Sequence, residues 1–216
     1  MELILPSGVR AWLNETSLVL FGRNEWPYDD GVPDRDPNRI LPDDVQVTIS
    51  MNSFVNTADS VREVHRGLAR TCDPLLREIP PDAELAEFDP DLSIAKGLLT
   101  AACSSRGVLL AVATKVLHRK RPGNIPMLDS VIVAAYADAL GKPALKAIAA
   151  GNKEKAGSAG THVMAAFRHD LNECAALVAS LRAVLEAKRS PMTPVRLLEV
   201  AVWMACEPRG NYRVAG

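Results

Sequence analysis

The sequence predicts a mainly α-helical protein, a helical bundle with a small β element at its N-terminus. Three observations lead there. The pattern is helical from about Asp43 onward, the second half reads as almost continuous helix, and two short strands are suggested in residues 1–23. The 216 residues are 48% hydrophobic and only 5% aromatic, enough for one sizeable core or two small ones. That composition, with no sustained repeat, excludes a disordered, collagenous or coiled-coil chain.

Residues 1–23 suggest two short strands, 2–5 and 17–21, with a turn at Ser7-Gly8 or at Asn14-Glu15. Residues 24–42 hold four prolines among several acids and read as irregular surface chain, with Trp26 and Tyr28 as packing anchors. Pro42-Asp43-Asp44 offers a helix start, although the alternation Val45, Val47, Ile49 leaves a strand open. Residues 57–70 place Ala58, Val61, Val64, His65 and Leu68 on one stripe, an amphipathic helix with His65 as a satisfied, partly buried histidine. Short helices are expected at 74–79 and 83–88, then a longer one to about Ser104, capped by Asp91 or Ser93. Further helices are expected at 109–119, 128–140, 144–150, 161–188 and 191–206, the last buried nearly all round with Trp203 in the core. Between them, the Gly-rich, basic run 151–160 reads as a surface loop.

The net charge of −1 conceals an asymmetry: residues 1–95 carry −10 and residues 96–216 carry +9. We therefore divide the chain into an acidic N-terminal region and a basic helical region, expected to form one compact unit. Such a split points either to an anionic partner for the basic part or to docking of the two halves. Cys72, Cys103, Cys174 and Cys206 lie far apart with no C-x-x-C pair, so no metal or cofactor site is expected. Dispersed thiols suit a reducing cytoplasm. Glu2 stands where a signal peptide would be basic, and no 18-residue apolar run suggests a membrane span.

Chemistry concentrates in residues 104–136. A helix ends near Ser104, the chain turns through Ser105-Arg106-Gly107, and a second helix begins. The free N–H groups at such a helix start attract phosphate, which nominates Arg106, Gly107 and Val108. The second helix ends in Arg119-Lys120-Arg121, either a solvated C-terminal cap or a phosphate-backbone contact surface. Asp129 then opens a new helix. It is either an N-cap alone or a carboxylate placed to stabilise positive charge or activate a nucleophile. Lys115 either snorkels from an apolar face or is a recessed amine near Asp129.

Two resemblances attach to these residues. The run 113–117, then Lys120-Arg121-Pro122, Ile125-Pro126 and Asp129, is similar to the DUF6308 proteins, a family of unknown function. Residues 75–80 and 198–204 extend that similarity over most of the chain. More distantly, residues 91–140 resemble the helix-hairpin-helix DNA glycosylases. Gly107-Val108 looks like the start of their phosphate-binding hairpin, and Asp129 falls where their catalytic Asp is expected. Leu109 replaces the second hairpin glycine, Ala111 stands where bifunctional members carry a lysine, and no His follows Asp129.

This resemblance implies a DNA-binding protein acting on a base or its glycosidic bond. Asp129 and Lys115 would be catalytic, and Arg106, Gly107, Val108, Arg119, Lys120 and Arg121 would contact nucleic acid. The alternative is a non-catalytic interaction protein, with a protein partner or a second copy, whose acidic half covers its own basic half or a basic partner.

Overall fold

The computed structural model describes residues 2–23, 36–48 and 57–206. The readings placed on Trp26, Tyr28 and Ile49 lie outside those residues. The fold is mainly α, with one two-stranded sheet at the N-terminus.

Strands β1 (Glu2–Ile4) and β2 (Arg10–Trp12) pair antiparallel, with Leu3 opposite Ala11. Their turn uses Gly8 at φ +89°, a conformation open to glycine because it has no Cβ. The expected second strand is corrected here. Residues 17–21 belong to helix α1 (Glu15–Arg23), whose start is fixed by the Asn14 side chain accepting from Ser17 N–H at 2.9 Å. Asn14 thus serves as a helix cap rather than a hairpin turn.

The short α2 (Pro42–Gln46) opens with its carboxylates in the first turn. Helix α3 (Ala58–Leu76) is the expected amphipathic helix, capped by Thr57 Oγ1 on Ser60 N–H, and it runs on through Pro74. Pro74 lies in the last turn, where its missing N–H forgoes one i→i−4 bond. No separate helices form at 74–79 or 83–88: the first is the end of α3 and a turn, the second is turns alone. Helix α4 (Ser93–Ser104) follows, with Asp89 and Asp91 both accepting from Ser93 N–H.

Helices α5 (Leu110–His118), α6 (Ser130–Ala139) and α7 (Ala144–Gly151) come next. They are followed by α8 (Lys153–Glu173), α9 (Ala175–Ala187) and α10 (Pro194–Cys206). Two corrections arise here. The run 151–160 is not a loop, because Asn152 caps α8 through Lys155 N–H and residues 153–160 are its first turns. Their small side chains let α8 approach α4: a Cβ built on Gly157 would stand 2.8 Å from Thr100 N, and one on Gly160 would stand 2.8 Å from Leu99 Cδ1. The single long helix expected over 161–188 is two helices that break at Cys174.

One apolar core joins side chains from both halves, from Leu5 and Leu18 through Leu68 and Leu99 to Phe167 and Val202. Across residue 95, α3 packs on α4 and β2 packs on α10. The N-terminal hairpin is pinned by Asp170, which is fully buried and accepts from Ser7 N–H, Ser7 Oγ and Tyr136 Oη at 2.6–2.9 Å. Among the described residues no helix is long and apolar enough to cross a membrane.

Candidate active site

The basic run at the end of α5 is an internal fastening. Asp44 of α2 is buried between two of its cations, with Lys120 Nζ at 2.6 Å and Arg119 Nε at 3.3 Å. The same carboxylate accepts the Leu41 N–H at 2.8 Å. Burial pushes the Asp44 carboxyl up, but the Lys120 bond, the Leu41 N–H and the two positive charges outweigh it, so its pKa lies below the ordinary value. Arg121 is fully buried. Its five N–H donors meet five acceptors: the carbonyls of Ile79, Pro37, Lys120 and Leu76 and the Asn38 side chain.

The nomination of Arg119, Lys120 and Arg121 as nucleic-acid contacts is therefore corrected. Their polar atoms are engaged inside the protein, and a phosphate contact needs them at the surface. Two further ion pairs cross from the acidic to the basic region, Glu63 to Arg106 at 3.3 Å and Glu15 to Lys188 at 3.5 Å.

The hairpin turn is a turn of the expected kind. Gly107 adopts φ +74°, and both it and Arg106 are exposed. Val108 differs from the expectation: its side chain is fully buried and its N–H donates to Ser105 O at 3.3 Å, so that donor closes the turn.

The two candidate catalytic residues do converge. Lys115 and Asp129 both line an open cavity of about 690 Å³ walled by α5, α7, α10 and the start of α6. That volume lies within the range of small-molecule sites, roughly 300–1,000 Å³. Asp129 is the N-cap of α6, its Oδ1 accepting from Val131 and Ile132 N–H at 2.9 Å each. The extended segment before it is clamped at three points: His118 Nδ1 to Ile125 O at 2.6 Å, Glu199 Oε2 to Met127 N at 2.9 Å, and Thr114 Oγ1 to Leu128 N at 3.0 Å. Three side chains on two helices thus set where the carboxylate stands.

Lys115 is 7% exposed on the inner face of α5. Burial lowers the pKa of its amine, an effect that the Asp129 and Glu199 carboxylates oppose in part. Helix α5 starts at the cavity with no side-chain cap, since its N-cap position is Leu109. The positive ends of α5 and α6 both therefore face the same space.

Four wall residues were not foreseen in this role. Arg196 and Glu199 of α10 form a buried ion pair of 2.6 Å on the cavity wall. Trp203, expected in the core, is half-buried and lines the cavity, as does Phe21 from α1. The only sequence signal was the pair of charges, three residues apart, in an otherwise apolar helix.

Comparison with protein families matches residues 23–206 to the family described as a family of unknown function, DUF6308. The chain belongs to that family. No curated protein and no solved structure matches it. The comparisons lend no support to the resemblance of residues 91–140 to helix-hairpin-helix glycosylases.

Proposed function

We propose that this DUF6308 protein binds a nucleobase, carried by a nucleoside or turned out of a nucleic acid, and acts on its N-glycosidic bond. The observation that carries the reading is the opening of Asp129 and Lys115 onto one cavity. The half-buried indole of Trp203 on the cavity wall suits a planar guest, since aromatic faces bind flat rings well. The resemblance of the Gly107 turn and Asp129 to helix-hairpin-helix glycosylases gives the same direction.

In this chemistry the C1′–N bond breaks with its electron pair moving to the base, and a water oxygen bonds to C1′. Asp129 faces the positive charge that develops on the sugar and accepts the proton that the water releases. Lys115 delivers the proton that the leaving base takes up. A buried ammonium gives up its proton more readily than an exposed one, which suits that role.

DNA contact in this reading falls to the exposed Arg106–Gly107 turn, and few phosphates are engaged. Each phosphate neutralised contributes about 0.9 to the slope of log affinity against log salt, so the dependence should be shallow. The test is incubation with nucleosides and with DNA bearing modified bases, followed by assay of released base and of alkali-labile sites. Base release by the wild type that is abolished in Asp129→Asn supports the reading. Release unchanged in that variant overturns it.

A second reading is favoured by Asp44 lying between Arg119 and Lys120: a non-catalytic protein whose acidic half covers its own basic half. It expects no base release from any substrate and no DNA binding even at low salt.

A further inference from the structure

Part of helix α3 departs from the acidic region that contains it. Residues 1–95 carry −10, yet residues 64–77 hold Arg66, Arg70 and Arg77 against a single acid, Asp73. Asp73 is half-buried and turned toward the segment before α2, where its Oδ1 accepts the Ile40 N–H at 2.9 Å. The three arginines are exposed, and among the described residues none of them meets a carboxylate within ion-pair distance. At 3.6 residues per turn and a rise of 1.5 Å per residue, they fall within about 40° of one another around the helix and span about 16 Å of its length. They form one cationic ridge facing solvent.

The ridge is continuous with the Gly107 turn. Thr71 Oγ1 lies 3.4 Å from Ser105 Oγ, and a Cβ built on Gly67 would stand 2.9 Å from that of Ser105. Two ion pairs close the N-terminal end of the same surface, Arg62 to Asp59 at 3.5 Å and Arg106 to Glu63 at 3.3 Å. Exposed pairs of this kind are weak.

Every cation on this surface is an arginine, whose planar fork meets phosphate oxygens two at a time. The large exposed apolar side chains among the described residues are Ile4 and Leu20, and neither belongs to α3, so the face has nothing to place in a membrane. A protein partner would ask for an apolar or aromatic centre, which the ridge also lacks. A row of cations alone suits a regular polyanion.

We infer that the exposed face of α3, with Arg66, Arg70 and Arg77 as its contacts, holds the phosphate backbone of a nucleic acid beside the Arg106–Gly107 turn. This goes beyond the base-binding reading and does not need it, since a strand can be held whether or not a base is released. The ridge adds three phosphates to those engaged at the turn and steepens the salt dependence expected of the turn alone.

Binding of the full chain to a labelled DNA duplex is followed by fluorescence anisotropy as salt is raised. In Arg66→Gln/Arg70→Gln/Arg77→Gln the slope of log affinity against log salt should fall by about 2.7, at about 0.9 per phosphate, so that between about 50 and 200 mM salt the wild type loses about fortyfold more affinity than the variant. The control Lys142→Gln/Lys155→Gln/Arg189→Gln removes the same charge from three exposed positions outside α3 and should keep the wild-type slope. No binding by the wild type at about 50 mM salt, an unchanged slope in the α3 variant, or an equal fall in the control overturns the inference. So does displacement of the duplex by polyglutamate at equal charge, which assigns the face to an acidic protein. None of these outcomes touches base release from nucleosides, so the base-binding reading stands or falls on its own assay.

Discussion

Replacing Asp44 by Ala tests whether the Arg119–Lys120–Arg121 run is structural. The substitution removes the carboxylate shared by Lys120 Nζ and Arg119 Nε and leaves two cations in a site where their side chains are 2% and 7% exposed. Uncompensated buried charge of this kind costs about 3–5 kcal/mol. At about 2–4 °C per kcal/mol for a chain of this size, the melting temperature should fall by about 6–20 °C. The loss should also depend on pH. Asp44 has a lowered pKa when folded, so its contribution is complete above the ordinary carboxylate value of about 3.9 and disappears as pH falls through the folded value. Wild-type and variant melts should therefore differ at pH 7 and converge in acid. The companion variant Asp44→Leu/Arg119→Met/Lys120→Met should recover most of the loss, because it removes the cations together with their partner. An Asp44→Ala melt within about 1 °C of wild type at pH 7, alongside loss of DNA binding in Lys120→Met, would refute the reasoning.

Gly157→Ala forces a Cβ into the Thr100 backbone where α8 crosses α4, and should destabilise by about 1–3 kcal/mol in urea denaturation. Arg189 sits exposed at φ +57° just past α9, where Ser190 N–H bonds back to Leu185 O at 2.9 Å. Arg189→Gly should raise stability by about 1 kcal/mol, read as a small increase in melting temperature. Burial pushes the Cys72 thiol up to about 11, and Cys103 is fully buried. Thiol labelling of native protein near pH 8 should therefore reach Cys174 and Cys206 while sparing Cys72 and Cys103 until the chain unfolds.

The helical class and most helix positions were legible because they rest on local apolar spacing. The stripe through Val61, Val64 and Leu68 specified α3, and Asp129 marked the start of α6. What misled was any residue type with two uses. Asn14 fits a hairpin turn and a helix cap equally well by composition. Gly157 and Gly160 look like loop residues, yet here they are the contact surface on which α4 lies. The break at Cys174 has no Gly or Pro to announce it.

At the site, sequence spacing brought Lys115 and Asp129 into view because both lie within one short stretch. Arg196 and Glu199 arrive from a helix some 70 residues later, and only the folded chain brings them to the same cavity. The opposite error concerned Arg119–Arg121. A dense cationic run looks like a binding surface until its partners are known, and Asp44, the Pro37 carbonyl and Asn38 lie about 75–84 residues earlier.

The docking of β2 on α10 also bears on the order of folding. Cys206 Sγ reaches Arg10 O across 196 positions of sequence, and the hairpin is held as well by Asp170. At about 5–20 residues per second, a ribosome takes some 10–40 s to produce the helix that the hairpin rests on. Strand β2, whose Ala11 is buried in the finished protein, lacks its α10 contacts during that interval. The hairpin is thus made well before the helix on which it rests and can settle only after that helix has formed.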